Sequence, residues 1–195
     1  MIAGKLERFL AGHDLQLRLL DNDHVIDWFD CALDLQMNDW LARTARRWQD
    51  ENLCKAWILS NRDDPNSPLG FFTLSAHQIA PESVPKTSRA QAQSNKAWVH
   101  NLTVPFPATL LGKFALDSAV QGKNFGNVLM ACVYVKHLEA ASLSGSKFLV
   151  LDVQHDTLAS YYRERFGFLH ASGGNGLGRM IKSTKTIEAE LEQAL

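Results

Sequence analysis

The chain reads as a mixed α/β protein, with a central mixed sheet of six to seven strands and helices on both faces, and three observations lead there. From Ala108 onward, apolar strand-like runs alternate with helical ones, a pattern that lays neighbouring strands parallel and packs the helices on the sheet. Before that point, two apolar runs flank the turn NRDDPNSPLG, which reads as an antiparallel hairpin connection. The third observation is the stretch FALDSAVQGKNFG over 114–126, where a strand exits through an acidic residue into a glycine-bearing turn and then a helix.

Taken in order, Leu15 to Leu20 (LQLRLL) alternates apolar and polar positions and predicts the first strand. Asp21 or Asp23 then caps a helix whose Val25, Ile26, Phe29 and Leu33 recur at helical spacing. A second helix is expected around Asn38 to Asp50, with Trp40, Leu41, Ala45 and Trp48 as its buried stripe. Lys55 to Ser60 and Phe71 to Ala76 are the hairpin strands. Ile79 to Pro107 carries the weakest pattern: it is first polar, then apolar at Trp98 to Val104, and predicts a short helix over Ser88 to Ala97 within a long surface excursion. The second half gives a strand (Ala108 to Asp117), helix (Asn124 to Leu143), strand (Lys147 to Asp152), helix (Thr157 to Arg165) and strand (Phe168 to Ala171). The turn ASGGNGLG leads to a last strand near Arg179 to Ile181, and Thr186 to Ala194 predicts a charged terminal helix.

At 195 residues, 46% hydrophobic and 21% charged, the chain can bury one substantial core and is expected to form one domain. Cys31, Cys54 and Cys132 are widely spaced and odd in number, which suits a reducing cytoplasm and offers neither a disulfide framework nor a CxxC metal pair. No run is long and apolar enough to cross a bilayer, and the start lacks the apolar stretch and cleavage site of a signal peptide. A net charge of -1 gives no overall pull toward nucleic acid, so RNA contact would need local basic patches.

The turn at Gln121, Gly122, Lys123, Asn124 and Gly126 opens a helix, where backbone N–H groups converge at the positive end of the helix dipole and can hold a pyrophosphate. A P-loop is disfavoured by the missing Gly-Lys-Ser/Thr ending, and a dinucleotide fold by the absence of GxGxxG. The segment resembles motif A of the GNAT acetyltransferases, Gln/Arg-x-x-Gly-x-Gly/Ala, whose loop grips the pyrophosphate of acetyl-CoA. Asn124 stands where the commoner QGKGxG form has its middle glycine. The resemblance implies a GNAT fold whose fourth and fifth strands splay to admit the pantetheine arm. Backbone N–H groups near Leu116, and just before it, would then receive the thioester carbonyl. Asp117 reads as a strand terminator rather than a catalytic group.

DTLASYYRERFGF over 156–168 resembles motif B of that family, a short helix ending in an aromatic-Tyr pair ahead of Gly-Phe. Counted from Asp156, Tyr162 falls at the family's tyrosine; counted back from Phe166-Gly167-Phe168 there is one extra residue, which keeps Tyr161 beside it as the alternative. A phenol of pKa about 10 stays protonated at neutral pH and can donate to a departing thiolate. His100, His155 and Glu164 are isolated candidates for a base. An α-amino acceptor of pKa about 7.7 to 8.0 needs little help from one, unlike a lysine side chain.

His24, Phe29, Cys31, Trp40 and Leu41, with Pro107-Ala108, Leu111-Gly112-Lys113 and Leu116-Asp117, resemble one branch of the family over residues 15 to 171: the bacterial GNAT toxins of toxin–antitoxin operons. That likeness implies acetylation of aminoacyl-tRNA, a homodimer and a ribbon-helix-helix antitoxin. Arg43, Arg46 and Arg47 on the second helix, with Lys86, Arg89 and Lys96 in the excursion, are the candidate RNA contacts. The alternatives are a transferase for a small amine or protein N-terminus, and a GNAT-shaped binding module without catalysis.

Overall fold

The computed structural model describes residues 2–32, 34–84, 104–171 and 178–194. Its strands are β1 (Leu15–Leu19), β2 (Lys55–Asn61), β3 (Pro68–Ile79), β4 (Phe106–Leu116), β5 (Phe148–Val153), β6 (Leu169–His170) and β7 (Gly178–Ser183). They form one seven-stranded sheet in the order β1-β2-β3-β4-β5-β7-β6. Among the described strands β4 and β5 make the parallel pair, and the other neighbours are antiparallel. The helices are α1 (Ile2–Ala11), α2 (Leu35–Arg43), α3 (Ala45–Asp50), α4 (Phe125–Ser144), α5 (Asp156–Phe166) and α6 (Thr184–Ala194).

Alternation along each strand sorts the side chains onto two faces. On one face Phe72, Leu74, Leu111, Leu149 and Leu151 pack against Leu6 and Leu10 of α1, Leu129 and Val133 of α4, Tyr162 and Phe166 of α5, and Ile187 and Leu191 of α6. The opposite face buries Ile58, Phe71 and Ala115 under Phe29, Leu41 and Ala45, and further along the sheet Ile79, Ala108, Phe148, Val150 and Ile181 form a separate cluster. Helix α4 buries residues round most of its circumference, including Leu129, Met130, Cys132, Val133, Tyr134 and Val135. This is the pattern of a helix enclosed by its neighbours. Gly70 is required where β3 crosses beneath it: a Cβ there would lie 2.8 Å from Leu116 Cδ2 and 3.3 Å from Leu129 Cδ2.

The structure departs from the sequence reading in four places. The N-terminal residues form α1, with Leu6 and Leu10 buried one turn apart. The helix expected after Asp21 or Asp23 is an irregular segment instead. Its polar groups are met from outside: Val25 N–H donates to Asn66 O, and Arg46 donates to the carbonyls of Asp21 and His24. The stretch expected as one helix over Asn38 to Asp50 breaks at Thr44 (φ -121°, ψ -34°), which caps α2 and starts α3. Finally, β7 inserts between β5 and β6, leaving the two-residue β6 at the edge. The predicted helix over Ser88 to Ala97 lies outside the described residues.

Candidate active site

Strands β4 and β5 pair over Ala108–Leu111 and Phe148–Leu151 and no further. Beyond those residues β4 stays bonded to β3 as far as Leu116, and β5 to β7 as far as Val153. The strands therefore part, and the backbone groups of residues 112–116 that face the gap have no β5 partner. Such groups seek a hydrogen bond from whatever enters. A bulge sits at the parting: Thr73 pairs with Lys113 and Leu74 with Leu111, leaving Gly112 extra. Because side chains alternate with period two, the extra residue turns Phe114 and Leu116 toward the α4 face and Lys113 and Ala115 toward the other. Phe114 and Leu116, both half-buried, pack against the core on the α4 face.

The glycine-bearing loop before α4 follows directly. Asp117 accepts from the N–H groups of Ala119 (2.9 Å) and Asp30 (3.1 Å), ending the strand in a turn of 3-10 helix over Ser118–Val120. Gly122 (φ +74°) and Asn124 (φ +67°) both occupy the left-handed region, which bends the chain into the first turn of α4. A helix leaves its first N–H groups without intrahelical acceptors, so this end is open to an anion. Asn, which tolerates this conformation better than most residues, does here what a glycine would do. Its amide oxygen is held by Asn127 Nδ2 (2.7 Å) and Arg165 Nη2 (2.9 Å). Gln121 braces the loop instead of offering a free donor, since its Nε2 donates to the carbonyls of Leu116 (3.0 Å) and Cys31 (3.1 Å). Lys123 is exposed.

Both tyrosines of α5 reach this groove, in different ways. The Tyr162 ring is buried, edge-on to Phe114 (6.3 Å) and Phe168 (5.9 Å), and among the described residues its hydroxyl has no hydrogen-bond partner. Burial, with a further push from Tyr161, raises its phenol above the ordinary value, so it keeps its proton at neutral pH. Tyr161 is 38% exposed and stands over the helix start: a Cβ on buried Gly126 would lie 3.0 Å from its hydroxyl. Gly126 thus leaves room for Tyr161 at the loop.

On the opposite face, Asp152 follows Leu151, the last β5 residue paired to β4. Its carboxylate binds Arg179 of β7 bidentately (2.7 and 2.9 Å). His77 of β3 shares that face; burial and the Arg179 charge lower its pKa against the opposing pull of Asp152. The sequence offered no sign of this trio, which is assembled from three strands distant in the chain. Arg165, reached through Asn124 and Asn127 (Nε to Asn127 Oδ1, 2.7 Å), was likewise invisible. His155 caps α5 by accepting from Leu158 N–H, and Glu164 is exposed beside Arg163. His100 lies outside the described residues.

Of the arginines on the second helix, Arg43 and Arg47 are exposed, with partners Asp39 at 3.7 Å and Glu51 at 3.6 Å. Arg46 differs: its guanidinium is occupied by the carbonyls of Asp21 (3.2 Å) and His24 (2.6 Å). Lys86, Arg89 and Lys96 fall outside the described residues. Among the described residues no group of His, Cys, Asp and Glu is arranged to hold a metal ion, and no helix is long and apolar enough to cross a membrane.

The fold is shared with solved structures. A structure of AtaT complexed with acetyl-methionyl-tRNAfMet matches 91% of this chain and 99% of its own, at a TM-score of 0.76 and 23% identity. A tyrosine-to-phenylalanine mutant of AtaT, bound to the C-terminus of the antitoxin AtaR and acetyl-CoA, matches 91% of this chain and 98% of its own, at a TM-score of 0.71 and 21% identity. The fold is the GNAT fold. In sequence, a tRNA-acetylating toxin of Mycobacterium tuberculosis is 22% identical over 153 residues, 78% of this chain and 83% of that protein. No family model matches the chain. Within the GNAT fold the described groove falls at the parting of the fourth and fifth strands, the position expected from the sequence resemblance.

Proposed function

We propose that the protein is an acetyl-CoA-dependent N-acetyltransferase whose acceptor is the α-amino group of an aminoacyl-tRNA, acting as the toxin of a toxin–antitoxin pair. The observation that carries this reading is the parting of β4 and β5 directly beside a positive-φ loop at a helix start, with two tyrosines over the groove. The residues present fit the cofactor: Gly122, Lys123, Asn124 and Gly126 would surround its pyrophosphate at the start of α4, and the edge of β4 without a β5 partner, up to the Leu116 N–H, can take an extended amide-bearing arm by strand-like hydrogen bonds. Acetyl-CoA supplies the activated acetyl thioester. The backbone N–H groups at the Gly112 bulge and beyond would receive its carbonyl oxygen as the amine nitrogen bonds to the carbonyl carbon and the C–S bond breaks; the Tyr162 hydroxyl would hand its proton to the departing sulfur, and the proton shed by the amine would return to the phenol through water. Arg43 and Arg47 would meet tRNA phosphates, together with Lys86 and Arg89. Arg46 would support that surface by bracing the segment beneath it.

The tRNA and antitoxin assignments draw support from AtaT, solved with a charged tRNA and with AtaR, and from the mycobacterial toxin. A cytoplasmic homodimer neutralised by a ribbon-helix-helix protein completes the proposal. Expression of the chain in a bacterial host tests it. Growth arrest that Tyr162→Phe relieves, with newly N-acetylated aminoacyl-tRNA in the arrested cells, is the expected outcome. Arrest without acetylated tRNA would contradict it.

A further inference from the structure

Helices α4 and α5 cover the groove on their side of the sheet, so a second reactant meets the strand gap from the opposite face. Asp152 stands there. It is the first β5 residue beyond the pairing with β4, and it shares the Val150 side of the strand, away from the Leu151 and Val153 side that packs under the helices. Arg179 is its cross-strand partner and takes one hydrogen atom to each carboxylate oxygen, from Nε at 2.7 Å and Nη2 at 2.9 Å. A carboxylate has about four acceptor sites, so two remain free, and the side chain is 42% exposed. The planar fork of the guanidinium fixes the carboxylate's orientation in a way that a single ammonium partner could not.

We infer that Asp152 is the acceptor-amine site, its carboxylate receiving the primary ammonium of the incoming substrate, with Arg179 as the positioning residue that holds it at the mouth of the gap. The inference rests on the transferase reading above and adds the group that selects an amine among possible nucleophiles. Lys113, turned to the same face of the sheet by the bulge, lies over the Trp40 ring at 5.6 Å and would suit the phosphate end of a nucleotide acceptor rather than its ammonium.

The test compares two ligands of the full chain: methionyl-tRNA, and the same tRNA esterified with the matching 2-hydroxy acid, which lacks the ammonium. The wild type should bind the amino-bearing tRNA about ten- to a hundredfold more tightly, the range expected of a charge-assisted contact. Asp152→Asn should erase that preference while leaving the acetyl-CoA dissociation constant and the melting temperature near wild type. Arg179→Lys should weaken the preference without abolishing it, since the charge remains and the fork does not. A preference unchanged in Asp152→Asn overturns the inference alone, because transfer by the wild type would still be observed. A wild type that neither binds nor acetylates the charged tRNA rejects the transferase reading and this inference with it.

Discussion

Residue by residue, the two tyrosines of α5 are assigned different work. Tyr162 is enclosed by aromatic rings and protonated at neutral pH, so Tyr162→Phe should lower kcat by about a hundredfold or more while leaving acetyl-CoA affinity unchanged in a calorimetric titration. Tyr161→Phe, which removes the hydroxyl beside Gly126, should instead weaken acetyl-CoA binding with little effect on kcat at saturation. The reverse split would exchange their roles. Two backbone positions give further tests. Gly122 sits at φ +74° with open space around its Cα, so Gly122→Ala should cost about 1–2 kcal/mol through conformation alone. Ala32 is held at φ +63°, its N–H donating to Asp30 Oδ1, and Ala32→Gly should raise the urea midpoint by relieving a comparable strain. At this scale the shape of the turn before α4 was legible from sequence because positive φ leaves a mark in residue type: glycine at 122 and asparagine at 124. The Asp152–Arg179 pair left none, since cross-strand partners 27 residues apart carry no local signal.

Among the elements, long apolar runs bounded by turn residues were read correctly. The strand over Ala108 to Asp117 and the helix over Asn124 to Leu143 match β4 and α4 to within two residues at each end. The irregular segment after β1 was misread because Ile26 and Phe29 are buried with a spacing that a helix would also give. The decisive groups are the side chains of Asp21, Asp30, Asn38 and Arg46, which satisfy its backbone or hold its turns from outside the helical pattern. Helix α4 also makes stability depend on pH. His137 is fully buried, its Nε2 bonded to Thr184 Oγ1 at 2.9 Å, and burial lowers its pKa from 6.5 to about 4. The unfolded chain therefore binds a proton near pH 5 that the native chain does not, and stability is lost as pH falls from about 6.5 to about 4. The loss approaches about 3 kcal/mol, on a scale of about 1.4 kcal/mol per pKa unit. Urea titrations of wild type and His137→Gln at pH 7 and pH 4.5 should show a smaller decline in the variant; parallel declines would remove His137 as the cause.

For the whole molecule, the near-neutral net charge means that the proposed tRNA contact would have to come from local cations. Arg43 and Arg47 lie exposed on successive turns at the α2–α3 junction, paired only at 3.6 to 3.7 Å and free to exchange those acids for phosphates. Replacing either with Gln should flatten the slope of log affinity against log salt by roughly 0.7 to 0.9, as expected for one phosphate contact. The same change at Arg46 should instead lower thermal stability, because its guanidinium holds two carbonyls of the chain. The fold as a whole was readable from the strand and helix order, and its opening from the family resemblance; what no residue type marked is how the strands part, with one extra residue at Gly112 and with β7 paired along the far side of β5.

The proposed chemistry places acetyl-CoA in this opening and delivers its acetyl group to an α-amine on tRNA. Incubating the purified chain with acetyl-CoA labelled in the acetyl group and a pool of charged tRNAs tests it most directly. Label recovered as N-acetylated aminoacyl-tRNA, and strongly reduced with Tyr162→Phe, is the predicted result. Label that stays on coenzyme A, or that enters uncharged tRNA equally well, would contradict it.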